Sequence, residues 1–291
     1  MHFTKMHGTG NDFVLIEAKG DEERDWRRLA VSICDRHFGV GADGVLLVLP
    51  SDKAAVRMRI LNPDGSEPEM CGNGIRCLAK YAVERGLVRP EDGRFDVETG
   101  AGVLTLQVFG GRDAIDRVRV GMGGPRLAAD EIPVLVNAEP PLVNIPVELV
   151  DGASRQVLPV TAVSMGNPHA VHLIQQPVAD FPLTQVGPAV AFHPLFPNGV
   201  NFEVARVLDR RSIEARVWER GAGLTLACGT GASAVMVAAR LQGMVDETVN
   251  ITLPGGVLTL EWDGEGEVFM TGPAVAVFEG EWLLPEGESG S

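Results

Sequence analysis

Two stretches of the chain alternate apolar and polar side chains with a period of two, Val56-Arg57-Met58-Arg59-Ile60 and Ile213-Glu214-Ala215-Arg216-Val217. Each therefore predicts a half-buried β-strand. After each comes a glycine-containing turn and then an apolar run at helical spacing, opened by Cys71-Gly72-Asn73-Gly74 in one case and Cys228-Gly229-Thr230-Gly231 in the other. Both runs predict a helix of roughly four turns, because Gly86 and Gly243, each fifteen residues after its cysteine, supply matching stop signals. Strand patterns follow in both places, Val103-Leu104-Thr105-Leu106 after Gly102 and Val257-Leu258-Thr259-Leu260 after Gly256.

The correspondence continues upstream. Asn62 and Glu219 each stand nine residues before their cysteine, and Gly10-Asn11-Asp12 and Gly166-Asn167-Pro168 each lead into an apolar strand. Gly44 before Val45-Leu46-Leu47-Val48 corresponds to Gly199 before Val200-Asn201-Phe202-Glu203-Val204. A period of about 155 residues is far too long for a solenoid and marks duplication of a whole domain. The prediction is α+β, with residues 1–118 as one repeat domain, completed by a C-terminal strand at 273–285, and residues 119–272 as the other. The proline- and glycine-rich stretch 123–159 reads as loops and edge strands, since valines and leucines alternate through it. Residues 286–291 read as a frayed tail.

Composition narrows the class of function. A formal charge of -14 argues against nucleic acid or an anionic membrane as the main partner. The start, Met1-His2-Phe3-Thr4-Lys5-Met6-His7, has no apolar core or small-residue cleavage site of the secretory type, and no stretch is long and apolar enough to span a bilayer. Four cysteines without a spaced disulfide framework suit the reducing cytoplasm. They lack CxxC spacing and neighbouring histidines, so no metal site is expected.

A thiol at a helix N-terminus faces unpaired backbone N–H groups and the positive end of the helix dipole, which favour its thiolate. Two such thiols at equivalent places suggest an acid/base pair. Inverting an α-amino-acid centre requires proton removal from one face of a carbon and delivery to the other, hence two bases, one ionised and one protonated. The developing charge spreads into the substrate carboxylate, which the N–H groups of Gly72, Asn73, Gly229 and Thr230 could bind. A single CGxG is a weak signal, because buried cysteines are usually inert; its duplication carries the argument. Cys34 and Cys77 have no comparable setting and read as core. Glu219-Arg220, in a glycine-flanked loop, is suited to meeting an ammonium and a carboxylate, although a pair of this kind is more often a surface ion pair. His169 could assist a thiol. Asn11, Asn62, Asn167 and Asn201 lie at strand or turn ends, where asparagine has an ordinary turn-forming role; at repeat-related sites they suggest a polar clamp.

The chain closely resembles the diaminopimelate epimerases. The segments that carry the resemblance are His7-Gly8-Thr9-Gly10-Asn11-Asp12-Phe13, Gly39-Val40-Gly41-Ala42-Asp43, Asn62-Pro63-Asp64-Gly65-Ser66, Met70-Cys71-Gly72-Asn73-Gly74-Ile75-Arg76-Cys77, Gly166-Asn167-Pro168-His169, Glu219-Arg220-Gly221-Ala222-Gly223 and Ala227-Cys228-Gly229-Thr230-Gly231, in family order. The resemblance implies cofactor-independent conversion of LL-2,6-diaminopimelate to the meso isomer, on the route to lysine and peptidoglycan. It matches Cys71 and Cys228 to the catalytic thiol pair and Glu219 and His169 to groups that tune them. It matches Asn11, Asn62, Asn167, Asn201, Glu219 and Arg220 to substrate binding, and Gly72, Asn73, Gly229 and Thr230 to the carboxylate cradle. It also implies two pseudosymmetric domains, each a curved mixed sheet around a central helix with the active site in the cleft between them, and a homodimer.

Two positions depart from the family pattern: Gly44 stands where glutamine is common, and Phe278 where tyrosine is usual. The segment 124–160 is longer than typical. Rival readings are a two-cysteine proline or hydroxyproline racemase, whose first motif typically has histidine where Asn73 stands, and a non-catalytic redox or binding module on the same scaffold. A pyridoxal enzyme would need a Schiff-base lysine, and Lys5, Lys19, Lys53 and Lys80 lie in no recognisable cofactor motif.

Overall fold

The computed structural model describes residues 1–20, 24–111, 114–151 and 154–283. The tail expected at 286–291 lies outside the described residues. The chain divides into two compact units, Met1–Val120 joined by the segment that begins at Gly272, and Gly121–Thr271.

In the first unit the order is β1 (His2–Gly8), β2 (Asn11–Glu17), α1 (Trp26–Cys34), β3 (Gly44–Leu49), β4 (Val56–Leu61), α2 (Gly72–Glu84), β5 (Arg94–Thr99), β6 (Gly102–Gly111) and β7 (Ala114–Gly121). β1 and β2 are antiparallel, β2 and β3 parallel, β3 and β4 antiparallel, β4 and β5 parallel, and β5 to β7 form antiparallel pairs. Both parallel steps need a crossover, and α1 and α2 supply them. α2 packs against β1 to β4 and β6, while Trp26, Leu29, Ala30 and Ile33 of α1 pack with Val14, Ile16, Val45 and Leu47. Covered on both faces, β3 is buried along its whole length, which is why Val45-Leu46-Leu47-Val48 shows no alternation.

The second unit repeats this plan. It contains a hairpin of β8 (Ile145–Asp151) and β9 (Ser154–Ser164), then β10 (Pro168–Leu173), α3 (Leu183–Ala191), β11 (Asn201–Asp209), β12 (Ser212–Glu219), β13 (Gly223–Thr225), α4 (Gly229–Leu241), β14 (Thr248–Leu253), β15 (Gly256–Glu261) and β16 (Phe269–Pro273). β9–β10 is antiparallel, β10–β11 parallel across α3, β11–β12 antiparallel, β12–β14 parallel across α4, and β14–β15–β16 antiparallel. The last strand, β17 (Val275–Glu281), pairs antiparallel with β1 of the first unit.

α2 and α4 are central helices. Ile75, Cys77, Leu78, Ala79, Tyr81, Ala82 and Val83 are buried in the first, and Ala232 to Ala239 without interruption in the second. A helix apolar all round must be enclosed by its sheet, and small residues in α4 let the surrounding strands approach. Gly86 and Gly243 just beyond the helices have φ of 72° and 69°, the left-handed conformation a helix stop uses.

The structure adds helices that the expectation from sequence does not include. α1 and α3 occupy equivalent crossovers. α3 contains Gly187 and Pro188, which read as loop residues. A Cβ at Gly187 would lie 2.6 Å from Trp218 Cγ, so glycine is what allows α3 to pack on β12. The proline-rich stretch includes the regular β8–β9 hairpin, with Pro146 opposite Pro159. Ile132, Val134, Leu142, Ile145, Val147, Leu158 and Val160 join the core that Phe181, Phe196 and Phe202 occupy.

Candidate active site

Each of the two cysteines is the N-cap of its central helix, in extended backbone conformation, with its sulfur accepting the N–H three residues on. Gly74 N–H lies 3.4 Å from Cys71 Sγ, and Gly231 N–H 3.4 Å from Cys228 Sγ. Helix caps favour serine, threonine, aspartate and asparagine, whose oxygens make the stronger bond, so two cysteines here are not explained by helix stability. They put a sulfur where the first-turn N–H groups and the helix dipole favour negative charge.

In the first unit, the turn between β1 and β2 places the next group. Gly8 pairs with Asn11, leaving Thr9 and Gly10 as a two-residue hairpin loop, both with positive φ. Asn11 Oδ1 accepts from the Cys71 thiol at 3.8 Å and from Asn73 Nδ2 at 3.1 Å, while Asn11 Nδ2 donates to Asp43 Oδ2 at 2.8 Å. Arg36 then bridges Asp43 and Asp12, at 2.7 Å to each. Burial alone would raise Asp12, but hydrogen bonds from Arg36 and Lys5 outweigh it and hold its carboxyl at about 2.

Arg76 is completely buried and supports the first turn of α2. It donates to Gly72 O at 3.1 Å, Asn73 Oδ1 at 3.0 Å, Thr9 Oγ1 at 3.2 Å and Pro273 O at 3.2 Å. Burial lowers it to about 10, opposed by its attraction to Cys77 and Cys71. Asn62 stands in a separate turn between β4 and α2, its amide donating to Ser66 Oγ at 2.9 Å. Gly44 sits where a Cβ would come 2.8 Å from the Leu61 carbonyl oxygen, so the close β3–β4 pairing accounts for glycine there.

In the second unit the corresponding turn has three residues, Met165 to Asn167, between the paired Ser164 and Pro168. Asn167 Oδ1 lies 2.9 Å from His169 Nε2, and Glu203 Oε1 lies 2.7 Å from His169 Nδ1, with both His169 and Glu203 buried. The parallel register of β10 on β11, His169 with Asn201 and Val171 with Glu203, places His169, Asn201 and Glu203 on one sheet face. Asn201 Oδ1 accepts the Arg220 N–H at 2.8 Å, and the Arg220 guanidinium donates to Asn198 O at 2.5 Å.

Glu219 ends β12 and accepts from Thr225 Oγ1 at 2.6 Å. Burial pushes its carboxyl up, opposed by hydrogen bonds from Thr225 and Cys228. Burial likewise pushes the Cys228 thiol well up, and Glu219 adds to this, while the Thr230 hydroxyl at 3.4 Å opposes it. Cys34 and Cys77 are buried, each raised to about 12 chiefly by desolvation. All four cysteines are free thiols.

Sequence reasoning missed Asp43, Arg76, Thr225 and Glu203 as contributors. Arg76 and Asp43 lie inside recognised segments, and a charged residue in an apolar helix was a readable signal for the former. Glu203 interrupts the apolar run Val200 to Val204, but strand alternation makes such a residue look solvent-facing. Among the described residues, no group of three or more His, Cys, Asp or Glu side chains is arranged to hold a metal ion. Likewise, no described helix is long and apolar enough to cross a membrane.

The diaminopimelate epimerase family model matches residues 3–128 and 161–277, leaving β8 and the first part of β9 outside. The chain is 50% identical over 289 residues to the diaminopimelate epimerase of Heliobacterium modesticaldum, covering 98% of this chain and 100% of that one. It is 43% identical over 282 residues to the enzyme of that name from Methanococcus maripaludis, covering 97% and 99%. Among solved structures, a probable proline racemase from Agrobacterium radiobacter superposes with a TM-score of 0.70 at 16% identity, covering 99% of this chain and 94% of that one. A PhzF-family phenazine biosynthesis protein from Bacillus anthracis gives 0.68 at 19% identity, covering 98% and 99%, and both likenesses concern the fold alone. With thiol-capped central helices in both repeats and these matches along nearly its whole length, the chain belongs to the diaminopimelate epimerase family and is an isomerase.

Proposed function

We propose that this enzyme interconverts LL- and meso-2,6-diaminopimelate without a cofactor, using Cys71 and Cys228 as a thiolate/thiol pair. The observation that carries the reading is the thiol N-cap on each of two equivalent buried helices. One sulfur, as thiolate, takes the α-proton; the other, as thiol, delivers a proton to the opposite face, and the roles exchange in the reverse direction. The reading therefore requires both sulfurs to reach one α-carbon. As the proton leaves, negative charge moves into the α-carboxylate. The first-turn N–H groups at Gly72 and Asn73 and at Gly229 and Thr230 are the donors assigned to it.

Asn11 accepts from Cys71 and is held by Asn73, while Glu219 and His169 belong to the second unit's polar group around Cys228. Arg220 is assigned to the distal carboxylate, with Asn62, Asn167 and Asn201 on the remaining amino and carboxyl groups. Free thiols as working groups favour a reducing cytoplasm, and a homodimer is assigned by the family relation. The product then serves lysine and peptidoglycan synthesis.

Incubation with LL-diaminopimelate or proline in deuterated water, followed by NMR of the α-carbon, tests the assignment. Exchange with diaminopimelate and not proline is expected. Exchange with proline alone would assign a racemase, and exchange with neither would leave a binding protein.

A further inference from the structure

The buried carboxylate of Glu203 has no role in the catalytic scheme above. It is 1% exposed, lies on β11 and is held by His169 Nδ1 at 2.7 Å, while its second oxygen, Oε2, is buried with no hydrogen-bond partner. A carboxylate in that state is costly unless its charge serves a purpose.

Its position relative to Cys228 is defined by Gly231. A Cβ placed on Gly231 would sit 2.8 Å from Glu203 Oε1 and 3.5 Å from Cys228 Sγ, so the carboxylate and the sulfur flank the same point in the first turn of α4. The absence of a side chain at 231 is what admits the carboxylate. Of the groups packed around this turn, β11 contributes Glu203, β12 contributes Glu219 and β10 contributes His169. The basic residue of α4, Arg240, is in its last turn. Glu203 and Glu219 both act electrostatically against negative charge on Cys228. The first unit presents the reverse: the buried guanidinium of Arg76, bonded to Gly72 O and Asn73, lies behind the first turn of α2 and attracts charge on Cys71.

We propose that Glu203 is a positioning residue: it fixes the His169 ring through Nδ1 and, by its buried negative charge behind the first turn of α4, keeps Cys228 as the proton-carrying thiol of the resting pair. The inference rests on the two-thiol reading of the function. The asymmetry of buried charge then specifies which partner begins as base, Cys71, and which begins as acid, Cys228.

The test reads thiol ionisation directly and does not depend on turnover. The full-length enzyme is alkylated with iodoacetamide over a pH series, and the rate at each cysteine is followed by peptide mass spectrometry. The midpoint pH reports ionisation, whereas accessibility changes only the plateau. In Glu203→Gln the Cys228 midpoint is expected to fall by about one pH unit, about tenfold more thiolate at a given pH below the midpoint. The Cys71 midpoint should stay in place, and Glu203→Asp, which keeps the charge, should retain the wild-type Cys228 midpoint. An unmoved Cys228 midpoint in Glu203→Gln, or the same fall in Glu203→Asp, would overturn the proposal. Should Glu203→Gln fail to fold, the wild type decides: Cys71 is expected to alkylate with the lower midpoint, and the reverse order overturns the proposal. Absence of α-carbon exchange with diaminopimelate in the wild type, with these curves as expected, would instead count against the assigned reaction.

Discussion

Replacing Gly231 by alanine tests how tightly the second unit's site is built, with the repeat-related Gly74→Ala as its control. Both glycines stand three residues after their cysteine, within the helix and without positive φ. Alanine gains about 1 kcal/mol over glycine from helix propensity in either place. At 74 the new methyl would approach Leu46 Cδ2, at 3.0 Å, the end of a side chain that can adjust at a cost of about 1 kcal/mol, so the two effects offset. At 231 the methyl would lie 2.8 Å from Glu203 Oε1 and 3.3 Å from Cys228 Cβ. Glu203 cannot retreat without stretching its 2.7 Å bond to buried His169, and a hydrogen bond to a charged group contributes about 1.5–3 kcal/mol. The net expectation is a loss of about 0.5–2 kcal/mol, or roughly 1–8 °C in Tm for a unit of this size, with kcat lower by about tenfold. Differential scanning calorimetry and progress curves measure both. Gly231→Ala with wild-type or higher stability would refute the claim that Glu203 is pinned against this turn.

Three other outcomes follow from the same structure. Asp12 has its folded-state pKa depressed to about 2, so it contributes stability that is present above its unfolded value near 4 and lost as pH falls through 2. Asp12→Asn should therefore remove about 2 kcal/mol at neutral pH and flatten the acid limb of a stability-against-pH curve, whereas an unchanged limb would remove Asp12 from the account. Glu219 is raised by burial, so its ionisation above its unfolded pKa opposes folding; Glu219→Gln should raise Tm at neutral pH while lowering turnover by about 10²–10⁴-fold, and a variant that loses both would point to a structural role instead. Gly44→Gln, which restores the residue common in the family, should cost about 1–3 kcal/mol in thermal unfolding because its Cβ meets the Leu61 carbonyl oxygen; a neutral result would mean that β3 and β4 separate easily.

Much of the fold was legible because duplication let each half check the other. The stops at Gly86 and Gly243, the starts of β6 and β15 at Gly102 and Gly256, and the caps at Cys71 and Cys228 are local backbone requirements, and local requirements leave local residues. α3 was hidden for the opposite reason. Its Gly187 answers to Trp218 on another element, so a tertiary contact placed a helix breaker inside a helix. α1, with Asp25 as its N-cap and a clean apolar stripe from Trp26 to Cys34, was readable but lacked a flanking motif to draw attention to it. The site divides in the same way. The cysteines and Asn11 declare themselves by spacing, whereas the pairing of Glu203 with His169 depends on the parallel register of β10 and β11, which no periodicity within either strand reveals. Buried Arg76 falls between: its charge inside an apolar helix is visible in the sequence, but its bonds to the Asn73 side chain and to Thr9 in the β1–β2 turn are not.

The central claim is that two thiols, one from each repeat, share one inversion. The direct measurement is inversion of LL-diaminopimelate in deuterated water by wild type, Cys71→Ala and Cys228→Ala, each variant first confirmed folded by its melting curve. Wild type should invert the centre with incorporation of one solvent deuteron, and each single variant should lose net inversion. Near-normal inversion by either alanine variant would contradict a two-thiol mechanism outright.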